Sequence, residues 1–267
     1  MIRVGTSGFA YADWHPAFYP ANLPATRRLE HYAQRFDCVE INSTFYRQPT
    51  AQMTANLAGR VPPGFAFAAK VYGGITHDPE FTTNGDLERF ATGVAPLVER
   101  GVLGAALAQF AHAFRPTRAH VKHLARLRAA WPNLPLVVEF RHADWLTEQA
   151  LTWLRERDIG FCNVDQPALD GLLPPTVNMT ARRSYVRFHG RNATQWYEHR
   201  EAWERYDYSY TKMELNEWVP RIKSLALEAD ESYVFFNNHY EAQAVTNAAQ
   251  LKDMLGLAGV GAGVKEQ

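Results

Sequence analysis

Three stretches hold most of the residues whose types and spacing could do chemistry. They read VEINSTFYR from Val39 to Arg47, VVEFR from Val137 to Arg141, and YVRFH from Tyr185 to His189. Each alternates as a strand does, which puts Glu40 with Asn42, Glu139 with Arg141 and Arg187 with His189 on shared faces. Unpaired polar groups are costly in a core, so such faces imply a purpose. Glu40 and Glu139 could be the paired carboxylates of a glycosidase, about 5 to 5.5 Å apart for retention or roughly 6.5 to 9.5 Å for inversion. In that role either is general acid or base, with His189 as a second proton carrier. They could equally be buried ion-pair partners of Arg141, Arg187 or Lys70, and the Glu-x-Arg spacing of Glu139 and Arg141 favours pairing.

The cations suggest a second chemistry. Arg141, Arg187, Arg191 and Lys70, near Asn42, Asn237 and Asn238, could clamp a phosphate or a sugar acid, since guanidinium forks match such anions. His189 and His239 with Glu40, Glu139 and Asp165 could in principle hold zinc, manganese or iron. The cations beside them would repel a metal, and the strands carry no close His-x-His pair, so no ligand set is assigned and the cofactor stays open. His120 and His123, three apart, are expected on a solvated helix face.

These residues need a scaffold. Apolar alternation and turn residues predict strands near 3–7, 39–42, 65–71, 103–110, 136–141, 161–165, 184–189 and 232–238. Helical periodicity predicts helices over 24–36, 50–59, 86–100, 119–131, 145–158, 212–229 and 243–255. The crossover 166–183 looks irregular. Eight strands alternating with about seven helices give an α/β fold, a single (β/α)₈ TIM barrel over residues 1–255, with a flexible tail over 256–267. The polar residues then fall at the C-terminal strand ends, where this fold carries its sites. A doubly wound sheet would need a glycine-rich turn entering a helix, and Gly5-Thr6-Ser7-Gly8 enters a long loop instead. Two long loops, 9–23 and 192–210, are rich in Tyr and Trp and are expected at the C-terminal mouth. Most of these rings read as packing, with Tyr46, Trp196 and Tyr197 as candidate ligand contacts.

Composition narrows the classes. Of 267 residues, 46% are apolar, enough for a large core. Lys and Arg (28) balance Asp and Glu (28), which weighs against bulk-charge attachment to nucleic acid or membrane. Cys38 and Cys162 both fall in expected strands and read as buried thiols. A cytoplasmic location is expected, because no apolar run reaches the roughly 18 residues of a membrane span and the N-terminus shows no signal pattern.

In combination the motifs VGTSGFAY with FYP, VEINSTFYR, ITH at 75–77, VEFRH with Trp145, YVRFHGR, and FFNNH with Asn247 resemble the YecE-like family, catalogued as domain-of-unknown-function family 72. The resemblance runs from about Arg3 to Ala249 and implies a TIM barrel, with no catalytic residues to carry over. The chain departs from the family at Pro16-Ala17, where a Gly-Pro pair is usual. It departs again at Gln109-Phe110-Ala111-His112, where a Leu-Pro-Pro exit is usual, so the wall beside Gln109 is expected to differ.

The leading expectation is an enzyme, a hydrolase or isomerase, acting on a small polar or phosphorylated ligand. Glu40, Glu139 and His189 would be catalytic. Asn42, Tyr46, Lys70, Arg141, Asp165, Arg187, Arg191, Trp196, Asn237, Asn238 and His239 would bind substrate. The alternatives are an endonuclease-IV-like, metal-dependent nucleic-acid-processing barrel, by fold analogy alone, and a non-catalytic ligand-binding protein.

Overall fold

Strand alternation with helices closes the chain on itself. The computed structural model describes residues 1–201 and 203–257; most of the expected tail lies outside them. The strands are β1 (Ile2–Ser7), β2 (Cys38–Ile41), β3 (Ala66–Lys70), β4 (Leu103–Gln109), β5 (Leu136–Glu139), β6 (Gly160–Asp165), β7 (Arg183–Phe188) and β8 (Glu231–Phe236). They form a closed barrel in sequence order, with parallel pairing throughout and β1 meeting β8. The chain is therefore a single (β/α)₈ TIM barrel. No helix among the described residues is long and apolar enough to cross a membrane.

The helices are α1 (Arg28–Tyr32), α2 (Ser43–Tyr46), α3 (Ala51–Ala58), α4 (Gly73–Thr76), α5 (Asn84–Glu99), α6 (Arg118–Ala130), α7 (Glu148–Arg155), α8 (Lys212–Glu228) and α9 (Gln243–Met254). Threonine starts five of them. Thr50, Thr83, Thr117, Thr147 and Thr211 each accept an orphan backbone N–H of the first turn. Asp86 and Glu214 complete capping boxes at α5 and α8. The expected helix over 24–36 is shorter, a 3₁₀ turn at Ala25–Arg27 leading into α1. The one over 145–158 is likewise trimmed, because Thr147 caps a fresh start after the 3₁₀ turn Ala143–Trp145. The one-turn helices α2 and α4 are too short to show a periodicity. No helix joins β6 to β7, as the irregular crossover suggests. His123, expected in solvent, is buried and bonds the Ile75 carbonyl at 2.9 Å.

Register decides which side chains enter the barrel. Arg187 pairs with Phe235, Ser7 with Glu40, and Gln109 with Glu139, so these residues share the interior. Below them Tyr185, Tyr233 and Phe235 fill the barrel with rings 5.2 to 6.4 Å apart. Gly104 makes room for them: a Cβ there would lie 2.4 Å from the Tyr233 ring. Both cysteines are free and buried.

Three expected ligands are corrected, Asp165 and Asn238 by the same alternation and Arg191 by its ion pairs. Asp165 lies one residue out of phase with Val164 and faces the helix layer. Its carboxylate accepts from Trp218 Nε1 (2.7 Å), Tyr210 OH (2.7 Å) and Arg191 Nε and Nη2 (3.0 and 2.8 Å). Arg191 spans outward to Glu217 at 2.9 Å and Glu214 at 3.6 Å. Asn238 is out of phase with Asn237; its Nδ2 donates to the Tyr208 carbonyl and to Asn247 Oδ1. All three residues pin the second aromatic loop and α8 to the barrel wall, away from its mouth.

Asp165 is fully buried, so removing it takes one of three carboxylate partners from Arg191 and leaves the Trp218 and Tyr210 donors without their acceptor. Asp165→Ala is expected to cost about 3–5 kcal/mol in urea unfolding. A loss below about 1 kcal/mol, the scale of an exposed ion pair, would contradict this anchoring role.

Candidate functional site

At the C-terminal end of the strands the interior turns from aromatic to ionic. Arg187, from β7, stands at the centre. Its Nη2 donates to Glu40 Oε1 at 2.7 Å and its Nη1 to Glu139 Oε2 at 2.7 Å. Weaker donations reach Gln109 Oε1 and Ser7 Oγ, both at 3.3 Å. Tyr185 OH, one strand pitch below on the same face, donates to Glu40 Oε2 at 2.8 Å. Arg141 Nε meets Glu139 Oε1 at 3.0 Å. Five strands thus contribute to one connected lattice, and both carboxylates are fully buried in it.

The lattice sets the protonation states. Burial alone would raise the Glu139 carboxyl, but Arg187 and Arg141 outweigh it and hold its pKa well below the usual carboxylate range. Burial would likewise weaken Arg187 as a cation, and Glu139 and Glu40 reverse that. His189 is fully buried above Glu139. Burial, reinforced by Arg141, drives its pKa down to about 3 against the pull of Glu139. Asn237 Nδ2 lies 3.2 Å from His189 Nδ1, and His189 Nε2 lies 3.1 Å from Glu139 Oε1. A neutral imidazole with its proton on Nε2 satisfies both contacts.

Above the lattice opens a cavity of about 570 Å³. Of the candidate residues, Glu40, Asn42, Tyr46, Lys70, Asn237 and His239 line it. Asn42 Oδ1 and His239 Nδ1 are buried there without hydrogen-bond partners among the described residues. Lys70, at the end of β3, has no ion pair among them either. Its Nζ sits 4.2 Å from the centroid of the Phe45 ring. Burial, reinforced by Arg187, lowers its pKa from 10.5 to about 7, despite Glu40 and Glu139. A second, smaller chamber of about 230 Å³ adjoins it and is lined by Arg141 and Trp196.

The structure therefore brings together Glu40, Glu139, Arg187, His189, Arg141, Asn237 and Lys70, with Asn42, Tyr46, His239 and Trp196 around them. It leaves out Asp165, Arg191 and Asn238. Sequence reasoning missed Tyr185, although it is in phase with Arg187 and His189. It also missed the loop residues Tyr11, Trp203 and Tyr206, which line the cavity but follow no repeat that would mark them. Among the described residues no group of three or more His, Cys, Asp or Glu side chains is placed to hold a metal ion.

A parallel barrel with an ionic floor under an aromatic rim is the class of protein that the fold and the site define. Within that class the chain belongs to the family described as "Protein of unknown function DUF72", whose model matches residues 3–267. It is similar to a DUF72 family protein of Thermotoga maritima, with 39% identity and a TM-score of 0.89 over 96% of this chain and 99% of the other. A DUF72 family protein of Enterococcus faecalis gives 28% identity and a TM-score of 0.87 over 97% and 96%. The UPF0759 protein YunF of Bacillus subtilis is 26% identical over 96% of this chain and 95% of its own. A likeness to SacUVDE, at 10% identity and a TM-score of 0.54, extends to the fold alone.

Arg187→Met would leave Glu40 with the Tyr185 hydroxyl and no cation partner, and Glu139 with Arg141, His189 and the Cys162 thiol. It is expected to destabilise the protein by about 3–5 kcal/mol. Adding Glu40→Gln and Glu139→Gln to that variant should restore most of the loss, because the uncompensated charges go. Urea titrations of the wild type and the two variants check this, and a triple variant no better than Arg187→Met would refute charge pairing as the cause.

Proposed function

We propose that the barrel mouth is the active site of an enzyme for a small polar, phosphate- or sugar-bearing substrate, with Lys70 as its reactive group. One observation carries the reading: Lys70 faces the main cavity unpaired, while the carboxylates and Arg187 beneath it are committed to one another. An amine that is neutral near pH 7 can take a proton from a carbon acid next to a carbonyl. It can also add to the carbonyl itself, forming a carbinolamine that loses water to an imine. Either course suits isomerisation or carbon–carbon cleavage of a polar carbonyl compound.

The supporting groups have simpler tasks. Asn42, Asn237 and His239 offer amide and imidazole contacts to hydroxyls, and Tyr46 and Tyr206 present rings to a sugar face. Glu40 and Glu139 keep the floor rigid and set the field at Lys70. Their ion pairing speaks against the glycosidase roles of general acid and nucleophile. A metal-dependent phosphodiesterase would need a donor set, and Arg187 and Arg141 occupy the carboxylates that would supply it.

Two outcomes are expected. The folded pKa of Lys70 lies below its unfolded value, so between about pH 7 and pH 10 the unfolded chain holds more protons and stability from this group rises with pH. Lys70→Met should therefore raise Tm by a few degrees near pH 6, with the gain shrinking toward pH 10. A gain that grows with pH would contradict the assignment. For the chemistry, the full chain is incubated with aldoses, ketoses and 2-oxo acids, with and without phosphate groups, then treated with borohydride and mapped by peptide mass. A reduced adduct on Lys70, absent from Lys70→Met, is expected. Ligands that raise Tm but leave no adduct would point to the non-catalytic binding reading.

A further inference from the structure

The smaller chamber differs in kind from the main cavity. The main cavity has carboxylates in its wall, Glu40 and Glu201. The smaller one has Arg141, Arg205, His77 and His112, and no Asp or Glu among its described lining residues. Glu139 already balances Arg141, but Arg205 has no counter-charge among the described residues, and an anion in the chamber would supply one.

The donors there are under-used. Arg205 forms no ion pair among the described residues; its Nε is buried without an acceptor, and its Nη2 rests against His199. Arg141 spends Nε on Glu139, and Nη1 makes only a 3.4 Å contact with Gln166. Both guanidiniums lie against Trp196, with their carbons 5.6 and 5.9 Å from its ring centroid. His77 holds Thr76 Oγ1 at 3.0 Å through Nδ1. Burial, with Lys70 and Arg141 nearby, keeps it neutral, so Nε2 remains as a donor when Thr76 donates to Nδ1.

The two spaces are neighbours. Tyr206 lines both, and the Phe45 ring lies against both Lys70 and His77, with centroids 5.0 Å apart for the Phe45–His77 pair. We propose that Arg141, Arg205, His77 and His112 form a binding site for the phosphoryl group of the substrate, whose carbonyl end lies over Lys70. The location of that carbonyl end rests on the reading of Lys70 given above; the anion site itself stands on its own donors. At about 230 Å³ the chamber suits a head group, and the 570 Å³ cavity takes the body.

Isothermal titration of the full chain with inorganic phosphate, glycerol 3-phosphate and glycerol tests this. Saturable binding of both phosphates and none of glycerol is expected, tighter for the ester if the body contributes. Arg205→Gln should weaken phosphate binding about 10- to 100-fold, the loss of a charge-assisted bond. His112→Glu, at an exposed position, should abolish it without changing Tm. Lys70→Met should bind inorganic phosphate as well as wild type, so failure of the Lys70 chemistry leaves this result intact. Wild-type protein that shows no saturable phosphate binding at millimolar concentration would overturn the proposal, as would a folded Arg205→Gln and His112→Glu pair that binds phosphate unchanged.

Discussion

The arrangement at the barrel mouth depends on one bridge, the Arg187 guanidinium between Glu40 and Glu139. Neither carboxylate touches solvent, and a buried carboxylate survives only if its charge is matched and its lone pairs are filled. Arg187 does this for both at 2.7 Å, and Arg141 adds a second cation to Glu139. Two carboxylates thus meet two guanidiniums, and the floor is neutral as a unit. Lys70 is then the odd charge. No carboxylate is left for it, Arg187 repels it, and burial penalises its ammonium form, which is why its proton is loosely held. The same balance leaves His189 no reason to be charged. One ion-pair lattice therefore explains why the most conspicuous acid–base residues are quiet and a lysine on a neighbouring strand is not.

Much of this was legible in the alternation. Glu40, Glu139, Arg187 and His189 sit in strands whose apolar partners mark the outward face, so their convergence follows from phase and barrel closure. Asp165 and Asn238 sit at strand ends too, but one residue out of phase. Alternation alone reveals this only when the inward residue is known, and Cys162 and Val164 are apolar enough to read either way. Phase also put Arg141 and Arg187 among the possible partners of the two glutamates, along with Lys70, which pairs with neither, and without showing whether pairing or catalysis would prevail. That depended on distance, which a sequence does not carry. Lys70 looked like a clamp residue because nothing local distinguishes a paired lysine from an unpaired one.

The loops were the harder part. Their aromatic content foretold a covered mouth, and Trp14 and Tyr19 are indeed fully buried packing rings. Which rings face the cavity is set by contacts between distant loops, such as Tyr11 stacked on His239 at 4.4 Å and Trp203 on Tyr240 at 4.2 Å. The stretch Gln109-Phe110-Ala111-His112 lines the smaller chamber. Its place beside Arg205, almost a hundred residues away, is a tertiary fact that the sequence does not carry.

The central claim is that a neutral ion-pair floor leaves Lys70 with an amine that is free near neutral pH. Direct titration of lysine side chains by NMR, using protein labelled at the lysine ε-carbon and Lys70→Met to assign the signal, tests it most directly. The account predicts one resonance that titrates near pH 7 and is missing from the variant. A Lys70 signal that stays protonated to pH 10 would contradict it, and the lattice would then be a structural plug beneath an ordinary binding cavity.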